Sequence, residues 1–121
     1  MSSTSRLIRL TFLGGSLGTA ARFTLSITLG DVPSIILVNL LGAALLGWFN
    51  GNPRNDTPDF NTFWKVGFTG GFTTMSAFAS FSVLYMQVLG IWAALATVAI
   101  SALGLAAYAL AFNASKKKAR A

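Results

Sequence analysis

Residues 66–115 read VGFTGGFTTMSAFASFSVLYMQVLGIWAALATVAISALGLAAYALAFNAS, fifty positions without one Asp, Glu, Lys, Arg or His. As a single straight α-helix the stretch would measure about 75 Å. The hydrocarbon core of a bilayer is only ~30 Å thick. The stretch therefore reads as two spans folded back on each other. Gly90 is the natural turn, because glycine takes the positive φ that a tight turn needs.

The same logic extends towards the N-terminus. No charged residue occurs from 32 to 53, and the apolar run 7–29 carries Arg9 in its first turn and Arg22 deeper inside. That run is too long for the apolar part of a leader peptide, so it reads as a retained span. The spacing predicts four helices near 7–29, 33–50, 63–88 and 91–112, forming one four-helix transmembrane domain over 1–121 with a basic tail at 113–121. Gly30-Asp31-Val32-Pro33 makes a short turn, with Pro33 suited to the first turn of a helix. The segment 50–61 is the one long polar connector. Trp48, Phe49, Phe60, Phe63 and Trp64 flank it, as interfacial aromatics do.

Composition agrees. The chain has 121 residues, 54% of them hydrophobic and only 10% charged, with mean hydropathy +0.65. Soluble domains are about a quarter charged. Cys, His and Glu are all absent, and the acids are Asp31, Asp56 and Asp59. That removes thiol chemistry, imidazole catalysis, Cys/His metal sites and paired-glutamate acid–base work, so the chain does not read as an enzyme. The net charge of +6 sits at the ends, with Arg6 and Arg9 at one and Lys116, Lys117, Lys118 and Arg120 at the other. Basic ends beside apolar runs suit a membrane surface, not a nucleic acid.

Polar and small residues inside the spans are the candidate functional groups. Gly14, Gly18 and Arg22 fall on one stripe, and Gly14/Gly18 is a small-xxx-small pair that lets another backbone approach. Arg22 either faces protein or water, or snorkels towards the interface near Gly30. Asn39 lies mid-span, followed by Gly42; its amide either makes an interhelical hydrogen bond or lines an anion path. In the third span, Gly70, Gly71, Thr73 and Thr74 favour a break that frees backbone carbonyls, and such carbonyls suit a coordinated cation. Met75, Phe78, Ser82 and Tyr85 share a face there, with Ser76 and Ser80 on an adjoining stripe. Thr97 and Ser101 lie one turn apart in the fourth span, before Gly104.

Three strings, GGSLGTAAR at 14–22, NLLGAALLG at 39–47 and TGGFTTMSAF at 69–78, resemble in order and spacing the Fluc (CrcB) family of small bacterial fluoride channels. The resemblance covers essentially the whole chain. It implies an antiparallel dimer of four-helix subunits with two fluoride pores near the interface. It also implies a structural sodium ion at the dimer centre, held by the carbonyls of Gly70 and Thr73. Asn39 matches the family's pore asparagine, Phe78 the second phenylalanine of its pore pair, Ser101 its serine in the fourth helix, and Arg22 the arginine ending the first motif. Met75 stands where the family has its first pore phenylalanine, and Thr97 replaces its tyrosine. Ile35, Ala77 and Ala79 stand where many relatives carry hydroxyls.

The chemistry is independently sensible. Fluoride is small and strongly hydrated, so it needs replacement donors, which Asn39, Thr74, Ser76 and Ser101 can supply. The positive edge of the Phe78 ring can face an anion, and Met75 can fill the space opposite. The expected function is passive fluoride export across a bacterial plasma membrane, protecting against fluoride toxicity. One rival is a non-conducting subunit that supports a homologous partner. A small proton-coupled drug exporter is the other, and it would need a carboxylate within the membrane that this chain lacks. Four spans put both termini and the 50–61 connector on one side, with eight of the nine basic residues. The positive-inside rule then expects cytoplasmic termini and a second homologous subunit of opposite bias as partner, a homodimer being the alternative.

Overall fold

The computed structural model describes residues 3–120, and it is helical nearly throughout. Helix α1 runs Ser3–Leu29 and α2 runs Asp31–Gly51, joined at Gly30 with φ 88°. Asp31 opens α2, where a carboxylate complements the positive end of the helix dipole. It also accepts a hydrogen bond from Ser26 Oγ at 2.9 Å, tying the turn to the end of α1. A 3-10 turn, Pro53–Asn55, follows α2, and the side chain of Asn52 caps it by accepting from the Arg54 N–H at 3.0 Å. Thr57 then caps α3, Pro58–Phe60, through its hydroxyl and the Phe60 N–H.

From α3 the helix widens into a π segment, Asn61–Phe68, before α4, Thr69–Phe72. The wide turn shows at Trp64, whose carbonyl accepts from both the N–H and the Oγ1 of Thr69, the latter at 2.8 Å. Thr73 and Thr74 are extended, and α5, Met75–Leu89, restarts the helix. Gly90, at φ 61°, reverses the chain into α6, Ile91–Arg120. Three helical stretches are long and apolar enough to cross a membrane: Asp31–Gly51, Pro58–Leu89 and Ile91–Arg120. The 27 residues of α1 are as long but carry Arg6, Arg9 and Arg22.

Small residues set the packing. A methyl added at Gly14 would strike the carbonyl of Phe63, and one at Gly18 the carbonyl of Phe68, so α1 lies backbone to backbone against the π segment and α4. Across the bundle α2 meets α6 in the same way, Gly47 facing the carbonyl of Tyr108. Among the described residues the fully or nearly buried apolar side chains are few: Val38, Phe72 and Ala93. Large apolar residues face outward, Val88 at 80% exposure, Leu105 at 75% and Phe12 at 71%. A surface of this kind is untenable in water and suits lipid or another apolar subunit. This is a multi-pass membrane protein.

The boundaries differ most from the sequence reading at two places, while α1 begins four residues early, at Ser3. Helix α6 continues to Arg120, so the basic tail expected from 113 is helical. Ser115 packs, buried, against Gly51, and lysines favour the negative end of a helix dipole. The third span begins at Pro58, ahead of residue 63, because proline and the Thr57 cap start a helix there. Two contacts gather the ends. Arg6 forms an ion pair with Asp59, and Lys118 Nζ sits 5.8 Å above the centre of the Trp48 ring. The N-terminal end of α1, the connector and the C-terminal end of α6 therefore share one end of the bundle.

Candidate functional site

Between α4 and α5 the backbone leaves the helix, and its polar groups must find other partners. Asn39, from α2, supplies two of them. Its Nδ2 donates to the Thr74 carbonyl at 3.1 Å, and its Oδ1 accepts from the Thr74 N–H at 2.8 Å. Thr74 Oγ1 in turn accepts from the Ala77 N–H at 3.3 Å and caps α5. On the other flank Arg22 Nε donates to the Gly71 carbonyl at 3.1 Å, joined there by Thr19 Oγ1 at 3.4 Å. Arg22 thus caps the end of α4. Of its two readings, the structure has it facing protein. Thr73 turns its methyl onto Gly42, where an added methyl would collide with it.

These bonds leave particular carbonyls without helical partners. The amide that would close on Gly70 O is that of Thr74, which goes to Asn39 instead. The amide that would close on Thr73 O is that of Ala77, which goes to Thr74 Oγ1. Gly70 itself looks out of the subunit, since a methyl added there would meet nothing within 4 Å.

Beside this junction, α2, α5 and α6 enclose a cleft of about 400 Å³. Its lining includes Asn39, Met75, Phe78, Ser101 and Tyr108, among Leu, Ile, Ala and Gly. A second cavity of about 210 Å³ continues along the same helices, lined in part by Ile35, Ser82, Tyr85 and Thr97. Phe78 and Ile100 belong to both linings and stand between them. Neither lining holds a charged residue.

The cleft brings together Asn39, Met75, Phe78 and Ser101 from the candidate residues. Thr74 and Ser76 do not line it: Thr74 is engaged at the junction, and Ser76 is exposed on α5. Gly14, Gly18 and Gly42 serve close packing. One lining residue escaped the sequence reading. Tyr108 lies two turns beyond Ser101 on the same face of α6, a spacing that could have flagged it. Its Oη accepts from Asn50 Nδ2 at 3.0 Å, so its own proton is free for another acceptor. The hydroxyls of Ser101, Thr97 and Ser82 donate to carbonyls one turn back, at 2.9, 2.9 and 2.8 Å. They must rotate before donating to anything else. The donors not already committed are therefore the second N–H of Asn39 and the Tyr108 hydroxyl, on residues that line the same cleft as Phe78. Neutral donors with no base nearby suit an anion stripped of water, and offer no means of moving a proton.

Comparison with known proteins identifies the family. A protein from Enterobacter sp. (strain 638), named Fluoride-specific ion channel FluC, is 36% identical over 117 residues, covering 88% of this chain and 91% of its own length. One from Synechococcus sp. (strain CC9605), named Fluoride-specific ion channel FluC 2, is 38% identical over 102 residues, covering 83% and 74%. A third, from Corynebacterium glutamicum and named Fluoride-specific ion channel FluC 1, is 43% identical over 65 residues; that match spans 53% of this chain and only 58% of the relative. No solved structure matches the chain. A family profile described as CrcB-like protein, Camphor Resistance (CrcB), matches residues 9–112, which hold the α1 glycines, the Asn39 junction and the whole cleft, and the chain belongs to that family.

Proposed function

We propose that this chain is a subunit of a passive fluoride channel in a bacterial plasma membrane. The observation that carries the proposal is the convergence of Asn39, Met75, Phe78 and Ser101 on one uncharged cleft, in a family whose relatives bear the name of fluoride-specific channels. Fluoride gives up a tightly held water shell on entering a membrane, and the Asn39 amide and Tyr108 hydroxyl replace part of it. Phe78 offers its positive ring edge where the two cavities meet. With no acid or base along this route, transport is downhill flow without proton exchange. The experiment is copurification with a homologous partner subunit, reconstitution of the pair into liposomes loaded with potassium fluoride, and electrode measurement of efflux when valinomycin is added. Efflux of fluoride but not chloride is expected. Equal efflux of both ions, with or without a partner subunit, would reject a fluoride-specific pore.

The finer arrangement follows from the same reading. Helix α1 is the fourth span, its Arg22 neutralised in part by the C-terminal carbonyls of α4. Two subunits pair antiparallel across the face that carries Gly70. Gly70 O and Thr73 O are the oxygens that would hold a structural sodium ion at the dimer centre. Both have lost their helical amide partners, and carbonyl oxygens suit a hard monovalent cation. Both termini are cytoplasmic, and a second homologous subunit of opposite charge bias is the partner. A non-conducting supporting role is favoured by one feature, Met75, which is 73% exposed and brings no aromatic ring to the cleft. Coexpression with the partner decides between the two roles. If Asn39→Ala in this chain leaves the efflux of the pair unchanged, the cleft described here does not conduct.

A further inference from the structure

The end of the bundle where Arg6 meets Asp59 also holds a groove unrelated to the cleft. It has a volume of about 330 Å³ and lies between the 3-10 turn and the last two turns of α6. Its lining includes Trp48, Asn52, Arg54, Asn55 and Lys118, with no acidic residue. We propose that this groove binds the phosphate group of an anionic phospholipid.

Four observations support a phosphate ligand held at a membrane surface. Arg54 and Lys118 converge from different elements, and neither has a carboxylate partner among the described residues. The backbone of Arg54 is held at the groove, because its N–H donates to Asn52 Oδ1. That leaves the Asn52 amide nitrogen as a further donor. Lys118 is fixed because α6 stays helical to Arg120, and its ammonium lies 5.8 Å above the Trp48 ring. Trp48 itself is partly exposed at the end of the apolar α2, the depth at which tryptophan marks the interface of a bilayer. The groove thus has a cationic floor and an apolar rim. Leu41, exposed and two turns from Trp48 on the same face of α2, extends that rim along the path of an acyl chain. A free phosphate would use the floor alone, whereas a phospholipid uses both. The inference rests on the protein being in a membrane and not on what it conducts.

The placement makes a specific claim about the four C-terminal basic residues. Lys118 lines the groove, and Lys116 and Lys117 do not. A tail acting only as diffuse positive charge would use all of them alike. The test is native mass spectrometry of the full chain in micelles containing equal amounts of phosphatidylglycerol and phosphatidylcholine. A retained phosphatidylglycerol adduct is expected. Each groove cation contributes roughly a factor of five, so Arg54→Gln with Lys118→Gln should lower that preference about thirtyfold. Lys116→Gln with Lys117→Gln should leave the preference within about twofold, less than the factor for one groove cation. Lys118→Gln alone, on an exposed side chain that does not threaten folding, should cost about fivefold. Equal retention of the two lipids, or equal loss in both double variants, overturns the site. Inorganic phosphate added at millimolar concentration separates the two sources: the adduct should survive it, and its displacement would mean that the groove takes free phosphate instead.

Discussion

Asn39 and Thr74 hold each other by two hydrogen bonds of opposite sense, Asn39 Nδ2 to Thr74 O at 3.1 Å and Thr74 N–H to Asn39 Oδ1 at 2.8 Å. One amide thereby substitutes for the helix that is missing at that point, on a residue that also lines the cleft. If Asn39 is also the cleft donor, the bonds that position it are the ones that keep the extended pair in place.

Asn39→Ala should therefore have two separable effects. Asn39→Ala leaves the Thr74 N–H unpaired inside the bundle, its carbonyl keeping only the Phe78 N–H at 3.3 Å, at a cost of about 1–3 kcal/mol, which lowers the melting temperature without preventing assembly. Loss of the cleft donor should reduce fluoride efflux to background. Melting curves of the variant chain, followed by efflux assays on the variant coexpressed with its partner subunit, check both. A destabilised protein with full efflux would place the anion path elsewhere.

Arg22 makes a similar bond from the opposite side, its Nε 3.1 Å from the Gly71 carbonyl. Arg22→Leu leaves Thr19 Oγ1 as the side-chain donor to that carbonyl and should destabilise by about 1–2 kcal/mol, the worth of one lost hydrogen bond from a charged donor. Arg22→Lys keeps a charge but lacks the planar fork, and should recover only part of that loss. Thermal unfolding in detergent measures the difference. Equal stability of the two variants would mean that hydrogen-bond geometry at Gly71 is unimportant.

Two glycine-to-valine changes should fail in different ways. Gly18→Val drives a side chain into the Phe68 carbonyl, so the subunit itself should not fold. Gly70→Val meets nothing inside the subunit, so the chain should fold as a monomer and lose only its pairing across that face. Expression level together with size-exclusion chromatography separates the outcomes. A Gly70→Val protein that remains dimeric and active would remove that face from the interface and the sodium site with it.

How far the sequence could be read followed from physical locality. The reversal at Gly90 was legible because a charge-free run too long for one span carried a glycine, suited to positive φ, at its midpoint. The meeting of Asn39, Phe78 and Ser101 was legible through the resemblance, and their shared face could not have come from periodicity alone. The partner of Asn39 is a backbone group 35 residues away, and no side-chain pattern announces a backbone acceptor. The π segment was hidden for a related reason. Its wide turn is set by Thr69 bonding back to Trp64 and by the close approach of α1 at Gly67, a tertiary contact. Tyr108 was passed over because an aromatic near a span end reads as an interfacial anchor until Asn50 is seen to hold its hydroxyl.

The final prediction concerns orientation. The Arg6–Asp59 ion pair and the Lys118–Trp48 contact place the N-terminal end of α1, the connector and the C-terminal end of α6 at one end of the bundle. Arg6, Arg9, Arg54, Lys116, Lys117, Lys118 and Arg120 belong to those segments and Lys65 lies one turn beyond the connector, together eight of the nine basic residues. Arg22 lies inside α1, and the turns at Gly30 and Gly90 carry no basic residue. So strong a bias should hold that end in the cytoplasm. An antiparallel homodimer would require half of the copies to insert the other way, against this charge. The chain should therefore insert in one orientation and conduct only with a homologous partner of opposite bias. A cysteine placed near the C-terminus should be labelled by an impermeant reagent only after cells are lysed, and efflux from liposomes holding this chain alone should stay at background. Labelling of half the molecules in intact cells, or full efflux from the single chain, would show that it pairs with itself.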